Sequence, residues 1–195
     1  MNLELDGFNI TVLSLYPFKF YMNTAHKKEE AITVVVRMLW EANDQASEAF
    51  RQGDYQGAIE CYNEALHLCS LLSVEVVFDR ARFEAIVHAG LSAAFGRQGK
   101  HMESFAASNK ALVFFDQVSE LDAVETSKFL MAQVNQGTAL AALGCLPAAL
   151  EALHKAKQVF LNKSLDPAKN KQWLEIVEGN IVAINGQIEK CQPSL

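Results

Sequence analysis

Three glycines, Gly53, Gly99 and Gly144, each sit at the centre of the same ladder of small and aromatic residues. The first copy runs Ala46, Ala49, Phe50, Gly53, Asp54, Tyr55, Ala58, Ile59, Tyr62, Ala65, Leu66. The second runs Ser92, Phe95, Gly99, His101, Ser104, Phe105, Ser108, Ala111, Leu112. The third runs Gly137, Leu140, Gly144, Leu146, Ala149, Leu150, Leu153, Ala156. Self-similarity at a fixed spacing is the mark of a stacked repeat, in which each unit buries its apolar face only against its neighbours. Few other folds accommodate it.

The spacing carries a physical reading. Glycine ends a helix at low cost because it enters the left-handed region without a Cβ clash. A glycine between two helical stretches therefore predicts a tight turn and an antiparallel helix pair. Ala46, Ser92 and Gly137 precede the turns, and Ala58, Ser104 and Ala149 follow them, at matching distances. These small residues mark close helix crossings. Tyr62, Ser108 and Leu153 come one turn later, then Ala65, Ala111 and Ala156. Steps of three and four keep them on one helical face.

The ladder resembles the tetratricopeptide repeat (TPR) family. The first copy matches best, with its Gly-Asp-Tyr turn and its Ala58, Tyr62, Ala65, Leu66 run. The second departs at Ser104 and Ser108, and no copy ends its second helix on Pro. Phe83 to Leu112 resembles a small group of bacterial TPR proteins of unassigned role. The resemblance implies an all-α fold: a right-handed α-solenoid of antiparallel helix pairs with a C-terminal capping helix.

The period is unusual. The turn glycines fall 46 and 45 residues apart, against about 34 for the common repeat. The excess lies at residues 73–84 and 119–129 and amounts to about three helical turns. Longer first helices, N-capped by Asp79 or Asp122, are one outcome. A short loop with an extra half-helix is the other, and the residues leave both open.

Helices are expected over about 27–52, 55–72, 79–98, 101–118, 122–143, 147–161 and 171–190. Residues 22–161 hold three helix pairs, 162–170 form a loop around Asp166 and Pro167, and 171–190 form the capping helix. Its apolar stripe of Trp173, Leu174, Ile176, Val177, Ile181, Ile184 and Ile188 would cover the open face of repeat three. Residues 191–195 read as a disordered tail. Residues 1–21 lie outside the repeats. Phe8, Ile10 and Val12 alternate as in a strand, with no sheet to join. Three readings compete: an upstream extension before a true start at Met22, an irregular segment packed on the first helix, or an apolar peptide lying in a groove.

Composition narrows the function. The chain has 195 residues, half of them apolar, and a net charge of −6. That length supports a real core. Nucleic-acid binding needs a basic patch that this charge does not favour. No apolar run is long enough to span a membrane. Cys61, Cys69, Cys145 and Cys191 form no C-x-x-C pair and read as reduced, packed thiols of a cytoplasmic protein. The five histidines make no zinc motif, and phosphate-binding glycine loops and nucleophile elbows are absent. No enzyme, metal or cofactor is expected. His88 reads as a satisfied core histidine.

In the TPR family the first helix of each pair lines the concave face. The resemblance therefore places Asn43, Ser47, Phe50 and Arg51 there from repeat one. Repeat two adds Ala89, Ala93, Gly96 and Arg97, and repeat three adds Met131, Val134, Thr138 and Ala141. TPR co-chaperones that bind acidic chaperone tails carry a cationic clamp on this face. The matching positions here are Asn43, Ser47, Gly90, Met131 and Asn135, with no cation. What remains is a small and apolar lining, suited to an extended peptide or an amphipathic helix with apolar anchors. The expected function is a non-enzymatic protein-interaction module. Its alternatives are a chaperone similar to the small TPR chaperones of bacterial secretion systems, or a structural homodimer.

Overall fold

The computed structural model describes residues 2–5, 8–11, 25–162 and 167–191. Among these residues, seven helices follow a short hairpin. The hairpin pairs β1 (Asn2–Leu5) with β2 (Phe8–Thr11) antiparallel, Leu5 opposite Phe8. The alternating segment thus does have a strand partner, the residues just before it, which corrects the expectation of a strand without a sheet. The rest of 1–21, and with it the competing readings of that segment, lies outside the described residues.

The helices are α1 (Ala25–Arg51), α2 (Tyr55–Leu71), α3 (Arg80–Arg97), α4 (His101–Phe115), α5 (Ala123–Ala142), α6 (Leu146–Asn162) and α7 (Pro167–Cys191). They form three antiparallel pairs stacked in chain order, closed by α7 on α6. Each pair turns where expected. Gly53, Gly99 and Gly144 have φ of 83°, 73° and 81°. In each turn the residue after the glycine donates back five positions: Asp54 N to Ala49 O, Lys100 N to Phe95 O, Cys145 N to Leu140 O. The glycine itself donates back three, so the same Schellman cap is built three times.

The long period is met by N-capped first helices and by plain loops, without the extra half-helix among the described residues. Asp79 and Asp122 cap α3 and α5, accepting from Arg82 N and Glu125 N. Asp122 and Glu125 complete a reciprocal capping box. Phe78 packs on Phe83, ring centroids 5.6 Å apart, as a hydrophobic staple just outside the cap. The remaining residues of the excess form the loops 72–79 and 116–122. α4 stops at Phe115, three residues short of the expected Val118, and its C-cap falls on Asp116. α7 starts at Pro167, not at 171. Proline suits a first helical turn because its missing N–H would have no partner there.

Three buried clusters run along the stack. The first gathers Leu39, Tyr62, Ala65, Phe83 and Leu91 from α1, α2 and α3. The second gathers Ile86, Ala89, Phe115 and Phe129 from α3, α4 and α5. The third gathers Leu130, Leu153, Phe160, Val177 and Ile184 from α5, α6 and α7. α3 and α5 each serve two clusters, which explains their lack of a clean polar face. Trp173 stacks on Phe160, and Leu174, Ile181 and Ile188 pack beside it. Ile176 departs from the expected stripe and faces outward.

The serine substitutions in repeat two have a structural purpose. Ser104 Oγ donates to Ser92 O at 2.8 Å, tying α4 to α3. Asn135 Nδ2 donates to Ser92 Oγ at 3.0 Å, tying α5 to α3. Each hydrogen bond adds about 1 kcal/mol and fixes register across the crossing. α3 and α5 lie against each other along much of their length, whereas α1 meets α3 only sparsely.

Candidate functional site

α1, α3 and α5, the first helices of the three pairs, carry all the residues expected to line the groove. Their residues at steps of three and four point the same way because the three helices are equivalent members of successive pairs. The expected lining divides into two sets. Asn43, Ala89 and Val134 are buried and belong to the packing between helices. Ser47, Phe50, Ala93, Gly96, Met131, Thr138 and Ala141 are half-buried, and Arg51 and Arg97 are exposed. Only the second set presents surface.

Each wall has a distinct character. On α1, Ser47 Oγ and Tyr62 Oη lie 3.3 Å apart. Burial pushes the Tyr62 phenol above its ordinary pKa, opposed by that hydrogen bond and reinforced by Asp44. Arg51 is held on its own helix, paired with Glu48 and donating to Ser47 O. Phe50 leans on Tyr55, centroids 5.4 Å apart. α3 contributes a floor of small groups. A Cβ at Gly90 would collide with the Tyr62 ring, with Cε1 at 2.7 Å, so α2 and α3 meet at a glycine. On α5, Thr138 Oγ1 donates to Asn135 O at 3.1 Å.

Two residues of this face escaped sequence reasoning. Trp40, one turn before Asn43, is 38% exposed and packs edge-on to Phe83 at 4.8 Å. Lys128, one turn before Met131, is a cation on the α5 wall. Burial lowers its ammonium pKa, and the Asp44 carboxylate on α1 partly restores it. The clamp positions themselves hold no cation, but Lys128 joins Arg51 and Arg97 among the cations of these helices. Extending each line of lining residues by one turn toward the helix N-terminus would have found both.

Asn43 Nδ2 donates to Asp44 Oδ1 at 3.3 Å, and its own buried Oδ1 has no partner among the described residues. His88 also departs from expectation. The residue is half-buried and its Nδ1 is buried without a partner among the described residues, so it is neither wholly in the core nor satisfied. Burial, then Lys110, lowers its pKa to about 4. The unfolded chain binds a proton near pH 6.5 and the folded chain only near 4, so stability falls as pH drops through that window. After discounting for partial solvent access the loss is about 1–2 kcal/mol. Urea midpoints at about pH 7.5 and 5 would differ less in His88→Met than in wild type. An equal difference in both would assign the effect to other groups.

Of the cysteines, Cys69 is buried, Cys61 half-buried and Cys145 exposed, so Cys145 does not pack as expected. Among the described residues no cluster of His, Cys, Asp and Glu could hold a metal ion. No helix among them is long and apolar enough to cross a membrane.

Paired helices, repeated Schellman turns and a closing helix define a TPR-type solenoid fold. The chain belongs to the family described as Domain of Unknown Function (DUF3856), whose model matches residues 32–174. No curated protein matches it. A TPR-like protein from Chlorobium tepidum shares the fold with a TM-score of 0.74 and 23% identity, over 79% of this chain and 98% of that one. The first TPR of Spaghetti (RPAP3), bound to the HSP90 peptide SRMEEVD, gives a TM-score of 0.55 at 15% identity, over 78% and 94%. The second TPR domain of human RPAP3, in complex with the HSP70 peptide SGPTIEEVD, gives 0.54 at 17%, over 77% and 98%. At these identities what is shared is the fold.

Proposed function

We propose that this protein is a non-enzymatic interaction module that holds an apolar peptide or helix of a partner in its concave groove. The observation that carries the reading is the small-residue floor of α3, Ala93 and Gly96, between walls bearing Phe50 and Met131. A floor without bulk leaves room for large side chains from outside, and burying one stabilises a complex by about 1.5–3 kcal/mol. The solved TPR domains named above hold chaperone peptides, which supports a peptide as the class of ligand. A ligand unlike those acidic tails is favoured because none of the clamp positions, Asn43, Ser47, Gly90, Met131 and Asn135, carries a cation. Ser47, Phe50, Arg51, Ala93, Arg97, Met131 and Thr138 form the contact surface, backed by Asn43, Ala89 and Val134.

The test compares wild type with Ala93→Glu plus Thr138→Glu in a cross-linked pull-down. Both side chains are half-buried, so each carboxylate would have to be desolvated by the partner, at about 2 kcal/mol or more. Circular dichroism first establishes that the variant folds. A partner captured by wild type and lost by the variant is the expected result. A partner retained by both would place binding elsewhere.

A further inference from the structure

The repeat does not stop at the third pair. The step of 45 residues that carries Gly99 to Gly144 also carries Ala89, Ala93 and Gly96 of α3 to Val134, Thr138 and Ala141 of α5. One more step of the same length reaches Gly179, Ala183 and Gly186 of α7. The packed sides agree with this register. α3 turns Phe83, Val87 and Leu91 to the first core, and α7 turns Trp173, Val177 and Ile181 to the third, each 90 positions further on. α7 also meets α6 closely and α5 sparsely, as α3 meets α2 and α1. By register and by packing, α7 is the first helix of a fourth pair that lacks its second.

A helix that closes a solenoid is expected to turn polar groups outward. One exposed flank of α7 does so. Glu178 pairs with Lys157 of α6 at 2.7 Å, and Asn185 and Glu189 follow it at helical spacing. The other flank does not. Ile176, Gly179, Ala183 and Gly186 succeed one another at steps of three and four, on one face of the helix. Ile176 is 43% exposed, Gly179 and Ala183 are exposed, and nothing stands within 4 Å of a Cβ at Gly179 or Gly186. Glu175 and Lys190 border this line, and no charged residue lies on it. The uncharged line thus falls where the register of the groove places it, while the flank outside that register is polar.

We infer that α7 is a fourth wall of the ligand groove, and that the partner's apolar segment continues past α5 onto Ile176, Gly179 and Ala183. The inference rests on the groove reading proposed above and adds to it the length of the ligand. Neighbouring helix axes lie about 9 Å apart, so the fourth line lengthens the groove by about three residues of extended chain.

The probes are dye-labelled peptides of alternating leucine and serine, about six and about eleven residues long, so that only the longer spans all four lines. Binding to the full chain is followed by fluorescence anisotropy. Wild type binds the longer peptide about tenfold more tightly, because a further leucine is buried on α7. Gly179→Glu with Ala183→Glu brings the longer peptide down to the affinity of the shorter and leaves the shorter unchanged. Val182→Glu with Asn185→Glu puts the same two charges on the other flank of α7 and changes neither. Ala93→Glu with Thr138→Glu weakens both. Thermal melts check that each variant stays folded. A Gly179→Glu, Ala183→Glu variant that holds the longer peptide as tightly as wild type would sink the inference and leave the groove reading standing. Failure of wild type to bind either peptide, or normal binding of both by the Ala93→Glu, Thr138→Glu variant, would end the two together. Light scattering that finds a wild-type dimer, made monomeric by Gly179→Glu with Ala183→Glu, would give the line to a second copy of the chain and overturn the inference.

Discussion

Gly90→Ala is expected to destabilise the fold by about 3 kcal/mol, although in open space the same exchange gains about 1 kcal/mol for a helix. The new methyl would stand 2.7 Å from Tyr62 Cε1, and Tyr62 is 2% exposed, so its ring can yield only by displacing buried neighbours. Moving α3 away instead would open the first core around Phe83 and Leu91. Urea unfolding measures the loss. Gly179→Ala is the internal control, because nothing lies within 4 Å of a Cβ there, and it should stabilise α7 slightly. Tyr62→Ala alone costs about 3–5 kcal/mol. Added to that background, Gly90→Ala should cost less than about 1 kcal/mol. Simple additivity would mean that the tyrosine ring is not what excludes a side chain at position 90.

Arg80→Met should cost about 3 kcal/mol. The guanidinium donates to Cys69 O at 3.1 Å and to Leu72 O and Ser73 O at 2.5 Å each. These carbonyls close α2, which has neither a glycine cap nor the proline that usually ends the second TPR helix. Hydrogen bonds to a charged donor contribute about 1.5–3 kcal/mol each before water competes for the freed carbonyls. Methionine keeps the aliphatic bulk, so the loss reports the hydrogen bonds and not the packing. Amide exchange should rise first at Leu72 and through the loop that follows. A variant with the wild-type urea midpoint would show that water replaces the arginine without penalty.

Much of the architecture was legible because the sequence states it three times. The turn glycines, the small crossing residues and the caps at Asp79 and Asp122 follow from local chemistry, which needs only nearby residues. The stripe on α7 was legible for the same reason. What could not be read depends on distant partners. Nothing near Arg80 in sequence announces that it closes the preceding helix. Ser92 and Asn135 are far apart in the chain, and only the stacking of α3 on α5 makes them a hydrogen-bonded pair. The groove was half legible. Periodicity names the concave line, but whether a residue on it is surface or packing depends on how closely the neighbouring helix approaches. Ala89 and Val134 are buried by that approach, while Ala93 and Thr138 are not. Lys128 was missed because repeat spacing identifies positions, and a long side chain acts well beyond its own.

The uneven stacking of the first helices has a mechanical consequence. The second and third pairs are bound to each other by the Ser92–Asn135 hydrogen bond and by close packing of α3 on α5. The first pair is held to them mainly through α2, with Tyr62 bearing on Gly90 and α1 left largely free of α3. The first pair is therefore coupled to the second through interlocked side chains and not through stacking of first helix on first helix, and swinging it outward would lay open the core that Leu39, Tyr62 and Phe83 share.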